Sequence, residues 1–135
     1  MALISGKTAL TGLIGKPVSH SVSPIMHNAA FQEMGLDWCY LPMPCEEENV
    51  LTVLNGLRKI NCKGLNITIP HKKIAMNSCN EVSSIGRRLG AINTLVPNKL
   101  NCWTGDNTDM TGFIQPLLSQ NWKGSNALVL GCGGS

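Results

Sequence analysis

Short apolar runs cut off by glycine or proline alternate with stretches whose apolar residues recur at helical spacing, and this alternation constrains the fold more than any other feature. Thr11 to Gly15 is an apolar run closed by Gly15 and Pro17, the pattern of a buried strand. Ser23-Pro24 opens a helix, with Ser23 as N-cap and Pro24 at the first helical position. Met26, Ala29, Ala30, Phe31 and Met34 carry that helix onward and Gly35 closes it. Trp38 to Met43 reads as a second strand. Glu46, Glu47 and Glu48 then place negative charge on the first turn of a second helix. Val50, Leu51, Leu54 and Leu57 form its apolar face, and Arg58 and Lys59 lie near its end.

The alternation continues. Gly64 to Ile69 is a third strand, stopped by Pro70. A short polar helix is predicted from His71 to about Cys79, and another from Glu81 to Leu89. Ala91 to Val96 and Asn101 to Trp103 read as two strands joined by a turn at Pro97-Asn98, a local antiparallel pair. Asn107 to Ser119 is predicted helical despite Gly112 and Pro116. Ala127 to Leu130 reads as a last strand, running into Gly131-Cys132-Gly133-Gly134-Ser135.

Strands alternating with helices define an α/β fold, a mostly parallel sheet flanked by helices in three layers. Such sheets bind ligands at the carboxyl ends of their strands. With 135 residues the chain is long enough for a real core. Charged residues are 14% of it, too few for a disordered polyelectrolyte or a coiled coil, and a net charge of +3 is too mild to argue for nucleic acid. No apolar run reaches the length of a membrane span, and residues 1–15 do not read as a signal peptide. The six cysteines form no close pair of zinc-ligand spacing, so no metal site is expected; buried, reduced thiols in a reducing, cytoplasmic setting are the expectation.

Polar residues crowd the expected strand ends. Ser21 and Ser23 flank one residue before a helix, where two hydroxyls and free backbone N–H groups suit a carboxylate, although plain capping would also explain Ser23. Asn66 and Thr68 point to one side of the third strand, and Lys72 lies just past its carboxyl end. A lysine there can present a cation or a proton, or simply be solvated like its neighbour Lys73. His71 is a second candidate acid. Asn93 sits in an otherwise apolar strand and must satisfy its amide, through a ligand or through neighbouring loops. Asp106 is a natural N-cap, and Asp109 sits in the first turn that follows, facing a cavity or complementing the helix dipole. A carboxylate beside a lysine would fix the ammonium and pass on a proton, but spacing alone does not bring Lys72 and Asp109 together.

A strand entering a glycine-rich loop is also how a dinucleotide-binding βαβ unit begins. The expected organisation is therefore a domain over 1–124 and the start of a second, truncated domain over 125–135, the chain being a fragment of a longer protein.

The run GKPVSHSVSPIMHNAAF resembles the N-terminal signature of shikimate dehydrogenases, and NITIPHK, GAINT and GDNTDMTGF resemble further motifs of that family in the same order. GCGGS is similar to the start of its NADP-binding glycine loop. The resemblance runs from about Leu13 to Ser135. It implies a substrate-binding catalytic domain followed by the first strand of a truncated Rossmann domain. Lys72 and Asp109 match the catalytic pair. Ser21 and Ser23 match the serines that hold the substrate carboxylate, Thr68 and Asn93 match hydroxyl contacts, and Asn66 lines the same wall. Gly131, Gly133 and Gly134 match the cofactor loop. The implied reaction is the NADP-dependent, reversible reduction of 3-dehydroshikimate to shikimate in aromatic amino-acid biosynthesis, by a cytoplasmic monomer or homodimer without nucleic-acid or membrane partners. The fragment alone is expected to be inactive. Alternatives are a non-catalytic module binding shikimate- or quinate-like hydroxy acids, a quinate/shikimate dehydrogenase using NAD, and a methylene-tetrahydrofolate dehydrogenase-like enzyme, which the SHSVSP and GDNTD runs argue against.

Overall fold

The computed structural model describes residues 4–130. It contains strands β1 (Ala9–Gly15), β2 (Trp38–Pro44), β3 (Gly64–Ile67), β4 (Cys79–Val82), β5 (Thr94–Pro97) and β6 (Trp103–Asp106), with helices α1 (Ser23–Glu33), α2 (Val50–Lys59), α3 (Ser84–Leu89) and α4 (Asp109–Ser119). The strands form one six-stranded sheet in the order β2-β1-β3-β5-β6-β4. β1 pairs in parallel with β2 and β3, and β4 with β6, while β5 runs antiparallel to both its neighbours. The sheet is therefore mostly parallel, as expected, with β5 the one reversed strand.

Alternation along each strand divides the core between the two faces. Ile14, Leu65, Ile67 and Leu95 point to one face, where Val50 and Leu54 of α2 and the indole of Trp103 complete a buried cluster. The Trp103 Nε1–H donates to the Leu54 carbonyl at 2.9 Å, tying β6 to α2. Leu13 and Tyr40 face the other way and pack with Val18, which follows β1, and Phe31 of α1.

α1 is attached differently from the pattern expected of it. Met26 and Met34 are exposed, and no residue of the helix is fully buried. Its anchor is polar. Asn28 donates through Nδ2 to the Tyr40 carbonyl at 2.9 Å and accepts the Tyr40 N–H at 2.8 Å. Because β2 is an edge strand, this amide takes the place of a missing strand neighbour. The helix ends as expected at Gly35 (φ 65°), with Gly35 N–H on Gln32 O and Leu36 N–H on Phe31 O, a Schellman motif.

Several expected boundaries move. Ser23 is the first helical residue and not the N-cap; Val22 holds that position, and the Ser21 hydroxyl accepts the Ser23 N–H at 3.2 Å. Residues 71–79 give only a 3-10 turn at Ile74–Ser78. Glu81 and Val82 belong to β4, because Ser83 caps α3 by accepting the Gly86 N–H at 3.0 Å and so starts that helix at Ser84. Asp106 ends β6 and takes the Asn107 N–H at 2.8 Å, so it does not cap α4; Thr108 is the cap position. Ala127–Leu130 form no strand. Their side chains are exposed, and no described residue offers them a ladder partner. Gly131, Gly133 and Gly134 lie outside the described residues.

Cys39, Cys45, Cys62, Cys79 and Cys102 are free thiols. Burial pushes the Cys45, Cys62 and Cys79 thiols upward, with Glu46 and Glu48 adding to the rise at Cys45. No helix among the described residues is long and apolar enough to cross a membrane, and no group of three or more His, Cys, Asp or Glu there could hold a metal ion.

Candidate active site

The reversed strand decides what meets at the carboxyl edge of the sheet. β3 ends there, β5 begins there, and β6 ends there. Their flanking residues are Thr68 to Lys72, Asn93, and Asp106 to Asp109. Asn93 is fixed between β3 and β6, the strands on either side of β5: its N–H donates to Asp106 O at 3.0 Å, and its carbonyl accepts the Ile67 N–H at 2.8 Å. The loop carrying Lys72 is joined to the same point, since Lys72 O accepts the Ile92 N–H at 2.9 Å.

This scaffold brings together two residues far apart in the chain. The Lys72 Nζ donates to Asp109 Oδ2 at 2.7 Å. The Lys72 side chain is 12% exposed and that of Asp109 36%, so the ammonium is largely shielded and the carboxylate more open to solvent. Asn93 holds the other oxygen, donating through Nδ2 to Asp109 Oδ1 at 2.9 Å. A carboxylate held at both oxygens keeps the ammonium in one place, where it can give a proton to, or take one from, an oxygen docked beside it.

Further polar residues set this geometry from behind; of these Asn107, Thr108, Thr94 and Tyr40 were not among the expected site residues, and Asn66 was. Asn107 is buried, donates to Ala91 O at 3.0 Å and accepts the Asp109 N–H at 3.0 Å, so it presents Asp109 at the start of α4. Thr108 N–H and the Thr94 hydroxyl both donate to Asn93 Oδ1, at 3.0 Å and 2.9 Å, which fixes the orientation of that amide. Asn66 donates to Asn93 O at 3.3 Å and accepts the Tyr40 hydroxyl at 2.8 Å. Asn107 and Thr94 lie inside the GDNTD and GAINT runs; the only signal at Tyr40 was a hydroxyl on an apolar strand, which needs a partner.

Thr68, next after β3, stands at the same edge. It is half-buried and its N–H donates to Ile14 O at 2.9 Å. Its methyl lies where a Cβ on Gly15 would stand, 2.2 Å away, so only glycine lets β1 approach the loop this closely. Ser21 and Ser23 follow β1, both half-buried. His71 turns away from this edge: it is buried, and its Nε2 meets Cys45 O at 2.7 Å, which makes it a tether between loops.

Residues 13–95 match the family described as shikimate dehydrogenase substrate binding domain. The chain belongs to the shikimate dehydrogenase family. Within that family it is 56% identical over 133 residues to a shikimate dehydrogenase (NADP(+)) of Prochlorococcus marinus strain MIT 9301, covering 98% of this chain and 46% of the relative. A shikimate dehydrogenase from Thermus thermophilus, crystallised with shikimate, superposes with a TM-score of 0.85 at 34% identity, over 94% of this chain and 49% of that one. Another, in complex with NADP+, superposes with a TM-score of 0.83 at 39% identity, over 87% of this chain and 41% of that one. This shikimate dehydrogenase-family chain thus spans about half the length of the relatives it matches.

Proposed function

We propose that the protein carrying this chain reversibly reduces 3-dehydroshikimate to shikimate with NADPH, and that residues 1–124 are its substrate-binding catalytic domain. The observation that supports this best is the 2.7 Å bond between Lys72 and Asp109, held by Asn93 at an open sheet edge. Such a pair moves a proton but carries no electrons, so the donor set suits a reaction in which a dinucleotide brings the reducing equivalents. When bound, the dinucleotide supplies the hydride for the carbonyl carbon. Residues 125–135 would open its domain, with Gly131, Gly133 and Gly134 meeting the pyrophosphate.

The roles of this chain's own residues follow from where they stand. Lys72 delivers a proton to the ketone oxygen in reduction and removes it from the hydroxyl in oxidation. Asp109 holds Lys72 in place and exchanges the proton onward. Ser21 and Ser23 hold the substrate carboxylate at the start of α1, and Asn66, Thr68 and Asn93 take the ring hydroxyls. The partner is a small polyhydroxylated acid. The protein works as a monomer or homodimer in the cytoplasm, a reducing compartment with which the unpaired, buried thiols of Cys45 and Cys62 agree.

The test is the full-length protein assayed with shikimate and NADP+ and, in reverse, with 3-dehydroshikimate and NADPH. Turnover in both directions is expected, with much weaker activity on NAD or quinate. Absence of turnover from neutral to alkaline pH overturns the proposal. Shikimate binding without turnover would favour a non-catalytic binding module instead.

A further inference from the structure

We propose that Tyr40 is a positioning residue for the substrate-facing wall, acting through the amide of Asn66. This inference rests on the reading above that Asn66 and Asn93 meet the substrate. Tyr40 is 3% exposed and constrained on every side. Asn28 grips its backbone N–H and carbonyl, and the His27 ring stacks on its ring with centroids 4.3 Å apart and planes at 10°. The hydroxyl therefore has one fixed place to go, Asn66 Oδ1 at 2.8 Å.

The Asn93 carbonyl, which can only accept, sets which way the Asn66 amide faces, and the Tyr40 hydroxyl holds it there by donating to the amide oxygen. With Oδ1 toward Tyr40, Nδ2 faces Asn93 O at 3.3 Å and Thr94 Oγ1 at 3.5 Å. Turned over, the Asn66 carbonyl would face the Asn93 carbonyl, two acceptors with no proton between them. The donations beyond Asn66 all run the same way. Thr94 donates to Asn93 Oδ1 at 2.9 Å, and Asn93 donates to Asp109 Oδ1 at 2.9 Å. The result is a one-way relay from Tyr40 through Asn66, Thr94 and Asn93 to Asp109, in which each bond polarises the next. Tyr40 is its first donor. α1, which begins at Ser23, is linked through Asn28 and Tyr40 to the Asn66 side of the site.

The experiment is a kinetic cycle on the full-length protein with Tyr40→Phe, Asn66→Ala and the double variant. Tyr40→Phe keeps the ring and removes the donor. It should raise KM for shikimate about three- to tenfold, the range of one lost hydrogen bond, with kcat changed less than about twofold. In the Asn66→Ala background, Tyr40→Phe should add no further change. An unchanged KM, or fully additive effects in the double variant, overturns the proposal. Asn28→Ala loosens the Tyr40 backbone outside the site and should raise KM in the same direction. If Tyr40→Phe does not fold, an unchanged KM in Asn28→Ala overturns the proposal instead. Magnetic-resonance signals of the Asn66 side-chain amide separate this inference from the one beneath it. They should shift in Tyr40→Phe even if the wild-type protein turns over no shikimate, and an unmoved signal would count against Tyr40 whatever the activity.

Discussion

The ammonium of Lys72 and the carboxylate of Asp109 touch, yet 37 positions of sequence separate them. If Lys72 moves the proton, Lys72→Ala in the full-length protein should lower kcat by about two to four orders of magnitude and change KM far less. If Ser21 holds the substrate carboxylate, which does not react, the loss in Ser21→Ala should fall mainly on KM. A steady-state comparison of the two variants checks the division of labour. Tyr40 makes a separate prediction, because it is the chain's one tyrosine. Burial pushes its hydroxyl up to about 12. The folded chain thus holds this proton more tightly than the unfolded chain, where tyrosine ionises at about 10. The stability linked to it is complete below about pH 10 and is lost as pH climbs toward about 12. An ultraviolet titration of the phenol should show its step well above that of free tyrosine, and Tyr40→Phe should flatten the alkaline fall in unfolding free energy. At this scale the sequence was partly readable. Residue type and place in a run singled out Lys72, Asp109 and Asn93. Asn107 was marked only by its run and Tyr40 only by a hydroxyl on an apolar strand, because the importance of each lies in which buried acceptor or donor it meets.

Elements were legible where their signals were local and ambiguous where they were not. Gly35 ends α1 because its left-handed backbone is a local property. β4 was hidden because Cys79–Val82 has no apolar alternation; it becomes a strand by lying against β6. The expected strand over Ala127–Leu130 had the composition but not the neighbour, and hydrogen-bonding partners make a strand. Two substitutions test how elements are joined. Gly15→Ala would drive a methyl into Thr68 and toward the Ile69 carbonyl, 3.0 Å away. It should cost about 1–3 kcal/mol in denaturant unfolding and weaken substrate binding by displacing Thr68. Trp103→Phe removes the bond to the Leu54 carbonyl and leaves a gap between β6 and α2. A loss of about 1–3 kcal/mol is expected by the same measurement.

At the scale of the whole molecule, the alternation of runs predicted the fold class correctly, but it could not give the strand order. Order depends on which edges meet after collapse. The antiparallel β5–β6 pair was readable because its turn is short, whereas β4 crossing to the far side of β6 was not. β5's reversal has an outcome for engineering. A strand that starts beside Lys72 must finish at the opposite rim, so the bend over residues 98–102 lies at the end of the sheet remote from the Lys72–Asp109 pair. A fluorophore attached to an exposed side chain there would ride on the protein as a passenger, reporting its whereabouts while leaving the Lys72–Asp109 contact untouched.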